Sequence, residues 1–203
     1  NVITKNSASD KGSNISLRGG SNDTWRTNYN LSGTPSEEQE FNFNADYSKT
    51  DGPDLTLEKD ALSGNPFSAA PGKMNEKSEE KRVYGDYRFK NFSIMGSYSD
   101  TDLGVPVGEN YMTQDQENRS TQFGFLEAKY DLTFSENSVL SFKTSLGMVD
   151  TLTKGQYYPE GFILSGDSNN DGTSEPLDTN HDGQIEYFPD GAYGELGYKT
   201  REY

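Results

Sequence analysis

Hydrophobic and polar residues alternate along several stretches of the chain. The clearest is 41–47, FNFNADY, in which Phe41, Phe43, Ala45 and Tyr47 fall on one side and the residues between them on the other. Because successive side chains of a strand project to opposite faces, this pattern predicts a strand with one apolar and one polar face. The same alternation occurs in 25–32, 83–89 and 92–99. The apolar positions of these three stretches are Trp25, Tyr29, Leu31, Val83, Tyr87, Phe89, Phe92, Ile94 and Tyr98, and the polar ones are Arg26, Asn28, Asn30, Tyr84, Asp86, Arg88, Ser93, Ser97 and Ser99.

The connections between the predicted strands differ sharply in length. Further strands are predicted at 14–18, 121–134 and 139–148 and from 193 onward, and no stretch has a helical period. Short turns are expected at 19–23, 33–40, 90–91 and 135–137, and long polar loops near 50–80, 100–118 and 150–192. In an up-and-down sheet every second connection lies at the same edge, so apart from the short first one the long loops should share one edge. That asymmetry is typical of outer-membrane barrels.

Composition favours the same fold class. Of 203 residues only 30% are hydrophobic, which is little for a packed soluble core, yet 13 Tyr and 11 Phe recur in period-2 runs rather than being scattered. We therefore predict an all-β fold, an antiparallel up-and-down transmembrane β-barrel that is partial, with about eight strands. Six aromatic residues near predicted strand ends are candidates for the girdles at the lipid interfaces. They are Trp25, Tyr47, Tyr87, Phe89, Tyr98 and Tyr130.

Three short runs carry a family resemblance. The run 1–6, NVITKN, resembles the end of the plug domain of TonB-dependent outer-membrane receptors, while SLRGG at 16–20 and ADYSKTDG at 45–52 resemble the start of the barrel of that family. The resemblance implies a barrel of about 22 strands with a plugged lumen. Residues 1–10 would be the end of the plug and a linker, and 11–203 the N-terminal part of the barrel, so we expect a fragment, or a mature product with both ends cut.

The resemblance also implies a function and a location. Such receptors lie in the outer membrane of Gram-negative-type cells and import scarce ligands, such as a metal–siderophore complex or cobalamin. They use energy delivered by TonB, which would act through the plug region before residue 1. The expected partners are therefore outer-membrane lipid, TonB and a small-molecule ligand.

The loop 167–190 contains two DxNxDG units. The first comprises Asp167, Asn169 and Asp171, and the second Asp178, Asn180 and Asp182, and no Lys or Arg lies between 167 and 190. Calcium takes six to eight oxygen ligands, and each unit offers three on one tight turn. Pro189 stands where an EF-hand would have its bidentate Glu, so the pattern is closer to the tandem calcium turns of extracellular proteins. We predict that calcium binds here structurally and shapes an extracellular rim; the alternative is a solvated acidic loop, since such turn formers are common.

Charge and residue types disfavour other classes of function. A net charge of −15 argues against nucleic acid as a partner. The chain has no cysteine and one histidine, His181, which lies inside a calcium-type turn. No nucleophile is paired with a base by motif, so we predict no enzymatic activity. Two alternatives to the receptor remain: an outer-membrane barrel that does not use TonB, and a secreted calcium-binding β-protein or adhesin.

Overall fold

The structure is a computed structural model, and it describes residues 11–61, 63–64, 68, 70–105, 117–136, 138–158, 161–166, 173–179, 181–188 and 192–202. All the regular elements of these residues are strands. They are β1 (Gly12–Gly19), β2 (Trp25–Ser36), β3 (Gln39–Thr50), β4 (Thr56–Leu57), β5 (Gly72–Lys73), β6 (Ser78–Phe89), β7 (Phe92–Gly104), β8 (Asn118–Ser135), β9 (Ser138–Tyr158), β10 (Phe162–Ile163), β11 (Ser165–Gly166), β12 (Glu175–Pro176), β13 (Tyr187–Phe188) and β14 (Ala192–Glu202). Among the described residues, no helix is long and apolar enough to cross a membrane.

Eight of these strands form one antiparallel sheet. Its order is β1-β2-β3-β6-β7-β8-β9-β14, so each long strand pairs with the long strands before and after it in the chain. The predicted all-β class and the up-and-down order are therefore confirmed. The remaining short strands pair within the long connections, as β4 with β5, β10 with β13 and β11 with β12.

The short and long connections lie at opposite ends of the strands. At one end, which we call the short-turn edge, only two residues separate β2 from β3, β6 from β7 and β8 from β9. The opposite, long-loop edge carries the turn 20–24 and the connections 51–77, 105–117 and 159–191. The predicted asymmetry between the two edges is thus confirmed.

Strand register joins the predicted apolar positions into one continuous apolar face. Leu31 pairs with Phe43, Ala45 with Val83, and Tyr87 with Ile94, and because directly paired residues share a face these positions lie on the same side of the sheet. The face continues across β8 and β9, where Leu126 pairs with Leu146. Toward the long-loop edge the same side becomes charged. This charged margin contains the ion pairs Glu79–Lys81, Asp150–Lys199 and Lys154–Glu195.

Aromatic residues form a row across the apolar face near its short-turn edge, and Leu132 and Leu140 lie beyond this row. Phe89 pairs with Phe92, Phe92 with Tyr130, and Tyr130 with Phe142, which places four rings side by side across β6 to β9 close to the short-turn edge. Two of the six predicted girdle residues, Phe89 and Tyr130, belong to this row. Trp25, Tyr47 and Tyr98 lie nearer the charged margin, and Tyr87 lies two positions inside the aromatic row.

The bounds predicted for the turn at 33–40 are wrong, because only residues 37–38 within them form the turn. Strand β2 continues to Ser36 and β3 begins at Gln39, with an irregularity in the pairing between Gly33 and Ser36. Gly33 pairs with Phe41, whose ring lies so close that a Cβ on Gly33 would come within 2.9 Å of it. The Gly and Pro residues that indicate a turn in the sequence instead lie at this bulge and under the ring, both of which are ordinary places for them in a strand.

The predicted end of β9 at 148 is also wrong. The strand continues to Tyr158, and its last part pairs with both β8 and β14. Beyond Met148 the two faces differ less in polarity, since Asp150, Thr151 and Thr153 are polar on either side. Without that contrast the alternation does not reveal the strand. Strands β8 and β9, of 18 and 21 residues, exceed the ~9 to 11 residues that cross a bilayer.

Candidate functional site

The second DxNxDG unit forms a tight turn held by its own carboxylates. The carboxylate of Asp178 accepts hydrogen bonds from the backbone N–H groups of Asp182 at 3.1 Å and Gly183 at 2.8 Å. The carboxylate of Asp182 accepts one from the N–H of Gln184 at 2.8 Å. His181 and Gly183 have φ angles of 61° and 86°, the left-handed region that such a turn uses. Asp178 and Asp182 are thus brought together at one exposed turn.

Glu186 closes this turn from its other end. Both of its carboxylate oxygens accept the backbone N–H of Thr179 at 2.9 Å, and one also accepts the Thr179 hydroxyl at 2.6 Å. Position nine of an EF-hand-like loop, which Glu186 occupies, is therefore engaged in backbone contacts. Among the described residues, no group of three or more His, Cys, Asp or Glu side chains could hold a metal ion.

Most of the predicted calcium ligands fall outside the described residues. These are Asp167, Asn169, Asp171 and Asn180. Calcium binding by the loop stays a prediction.

A small aromatic cluster supports the base of this loop. The ring of Tyr158, at the end of β9, stacks against Phe162 and Phe188, with centroid distances of 4.9 Å in both cases. Backbone hydrogen bonds from Leu164 to Glu186 and from Leu177 to Leu164 then tie the loop segments together. Sequence reasoning missed this cluster because its three aromatic residues follow no regular period.

The polar face of the sheet, opposite the apolar face, carries a second candidate site. A hollow of about 400 Å³ lies over strands β2, β3, β6, β7 and β8. Five of its lining residues form one register row: Asn28 pairs with Asp46, Asp46 with Arg82, Arg82 with Ser99, and Ser99 with Phe123. Arg26, Asn44, Tyr84 and Ser97 line it from the adjacent positions.

Asp46 is the buried centre of this hollow. Its side chain is 8% exposed, and one carboxylate oxygen, Oδ2, accepts Nε and Nη2 of Arg26, both at 3.1 Å. Asn28 lies 3.5 Å from the same oxygen. The other oxygen, Oδ1, is buried without a hydrogen-bond donor. A buried carboxylate oxygen without a donor is costly, so Asp46 retains an unused capacity to accept a hydrogen bond.

Further polar contacts bridge neighbouring strands on this face. Asn42 donates to Asp86 at 3.3 Å, and Lys143 pairs with Glu127 at 2.7 Å. The polar residues predicted to share a face therefore do so, and they bond largely to one another. The sequence alone did not indicate the hollow, because the row that forms it depends on the register of five strands.

His181 lies in the exposed acidic turn, away from the hollow, and the absence of enzymatic activity stays a prediction. No family model, curated protein or solved structure matches the chain.

Proposed function

We propose that the chain forms part of the wall of an outer-membrane β-barrel, with the apolar face toward lipid and the polar face toward the lumen. One observation carries the proposal: large apolar side chains stand uncovered in the middle of the sheet. Phe43, Val83, Leu126 and Tyr130 lie on strands paired on both sides, yet 40–46% of each is exposed. A soluble sheet of this size normally buries such a face against a second layer.

The limits of the apolar face support a membrane orientation. The aromatic row near the short-turn edge and the charged margin toward the long-loop edge enclose a band of alternating apolar residues. From Leu140 to Met148 on β9 the apolar run measures about 27 Å along the strand, which is about 21 Å of height at the ~40° tilt of barrel strands, somewhat less than the ~25 Å apolar band of known barrels. The long loops would then be extracellular and the two-residue turns periplasmic.

Within that class we propose a TonB-dependent receptor that imports a scarce ligand such as a metal–siderophore complex or cobalamin. The support is the resemblance of 1–6, 16–20 and 45–52 to that family. Residues 45–50 lie in β3, where the family has a barrel strand, while 1–6 fall outside the described residues. A barrel that does not use TonB would share the sheet but would have no plug domain ahead of it.

We further propose that the loop 167–190 binds calcium outside the cell. The support is the turn at Asp178 to Gly183, whose carboxylates already hold the backbone in the tight form that a calcium loop requires. Calcium would neutralise clustered carboxylates and reduce the conformational entropy of the loop.

Dependence on detergent tests the membrane assignment. The full-length protein should fractionate with outer membranes and stay monodisperse only in detergent micelles. A protein that remains monodisperse in plain buffer would instead be the secreted β-protein or adhesin. Loss of uptake on deleting TonB would then separate the receptor from a barrel that does not use TonB.

A further inference from the structure

We propose that the hollow around Asp46 binds a neutral polyhydroxylated ligand, such as a short oligosaccharide. This rests on the proposed function, since a ligand reaches the polar face most readily if that face lines a lumen. The volume of about 400 Å³ lies within the range of small-molecule sites, about 300 to 1,000 Å³.

The charges around the hollow argue for a neutral ligand. Arg26 is paired with Asp46 at 3.1 Å, and Arg82, the other lining cation, is paired with Glu80 at 2.6 Å. Each guanidinium is therefore already compensated by a carboxylate. An anionic ligand would have to compete with those carboxylates, and a cation would meet both guanidinium groups.

The remaining polar groups suit hydroxyls. Asn28, Asn44, Ser97 and Ser99 offer amide and hydroxyl groups, each of which can both donate and accept, as a sugar hydroxyl can. The Oδ1 atom of Asp46 lacks a hydrogen-bond donor, and Asp46 is one of the residues that line the hollow. A ligand hydroxyl is a donor of the right kind, and a charge-assisted bond is stronger than a neutral one.

One aromatic ring completes the arrangement. Among the lining residues of the register row Phe123 is the last, on β8; it lies on the polar face and is 42% exposed. An exposed Phe beside hydrogen-bonding groups provides a flat apolar area, and a sugar ring has an apolar face of C–H groups that matches it. The row thus places an apolar platform at one end and hydrogen-bonding groups along its length.

Binding to an array of neutral and anionic oligosaccharides tests the proposal. The full-length protein in detergent is first applied to the array. The neutral glycan that binds most tightly is then titrated by calorimetry into the parent protein and its variants. Asp46→Asn and Phe123→Leu should each weaken its affinity, by about tenfold or more for the charge-assisted hydrogen bond. Tyr198→Leu is the matched control, because Tyr198 is an aromatic residue 60% exposed on the same face outside the hollow, and it should leave affinity unchanged.

The outcomes separate cleanly from those for the membrane assignment. Absence of binding to every neutral glycan, binding to anionic glycans only, or affinity unchanged in both hollow variants would overturn the proposal. If the protein needs detergent but binds no glycan, the proposed ligand is refuted and the proposed barrel is not. If Asp46→Asn fails to fold, Phe123→Leu alone decides, since it removes no polar contact.

Discussion

The sharpest consequence of a lipid-facing apolar face concerns Leu146 in β9. Leu146 is 46% exposed, lies within the apolar band and pairs with Leu126 on β8. In water, replacing so exposed a leucine by arginine would change stability little, within about 0.5 kcal/mol. In a bilayer, an arginine on the lipid face near the midplane costs about 2 to 4 kcal/mol. That cost corresponds to about 30- to 700-fold in the folding equilibrium, at ~1.4 kcal/mol for each factor of ten.

Ser145 provides a control one residue away. It pairs with Glu127 on the polar face, so Ser145→Arg places the same charge on the opposite side of the same strand. Successive strand residues point to opposite faces, which makes the pair a test of the face alone. We expect Ser145→Arg to change the free energy of unfolding by less than about 0.5 kcal/mol, as is usual for a surface change.

The measurement is a denaturant titration of the full-length protein refolded into phosphatidylcholine vesicles. It compares the free energy of unfolding of the parent protein, Leu146→Arg and Ser145→Arg. Equal stability of the two arginine variants would refute the assignment of the apolar face to lipid. A second layer of protein over that face would instead give Leu146→Arg the cost of a buried charge in aqueous buffer without lipid.

Two other predictions concern packing and calcium. Gly33→Ala should lower the free energy of unfolding by about 1 to 3 kcal/mol, because its Cβ would lie 2.9 Å from the Phe41 ring. Gly147→Ala, whose Cβ would have no atom within 4 Å, should lower it clearly less. Denaturant titrations measure both losses of stability, and equal losses would contradict the packing argument. Removing calcium with a chelator should speed proteolytic cleavage within 159–191 and leave the sheet strands intact. Asp178→Asn should have the same effect, because the Asp178 carboxylate holds the acidic turn. Cleavage at the same rate with and without chelator would count against a calcium site.

The faces of the sheet could be predicted from the sequence because they depend on local alternation. Phe43 and Asn44 must point opposite ways in any strand, and two-residue connections such as Lys90 and Asn91 force neighbouring strands to pair. The register then follows from matching apolar positions, as when Leu31 meets Phe43. Alternation does not show where a strand ends if its two faces have similar polarity, which is why the end of β9 could not be predicted.

The candidate sites depended on information that alternation does not contain. The hollow brings Asn28 and Phe123 into one row across five strands, and no local signal relates positions so far apart in the chain. The acidic turn was recognisable from its DxNxDG spacing, because glycine and aspartate have fixed roles in such turns. The supporting stack of Tyr158 with Phe162 and Phe188 was not, since it depends on how the long loop folds back.

Depth-dependent quenching of tryptophan fluorescence by brominated lipids tests the central claim most directly. The protein has one tryptophan, so a Trp25→Phe background allows a single tryptophan to be placed at either Leu146 or Ser145. In vesicles of lipids brominated along their acyl chains, we expect strong quenching of Leu146→Trp and little quenching of Ser145→Trp. Equal quenching of the two, or none at Leu146→Trp, would contradict a bilayer contact at the apolar face.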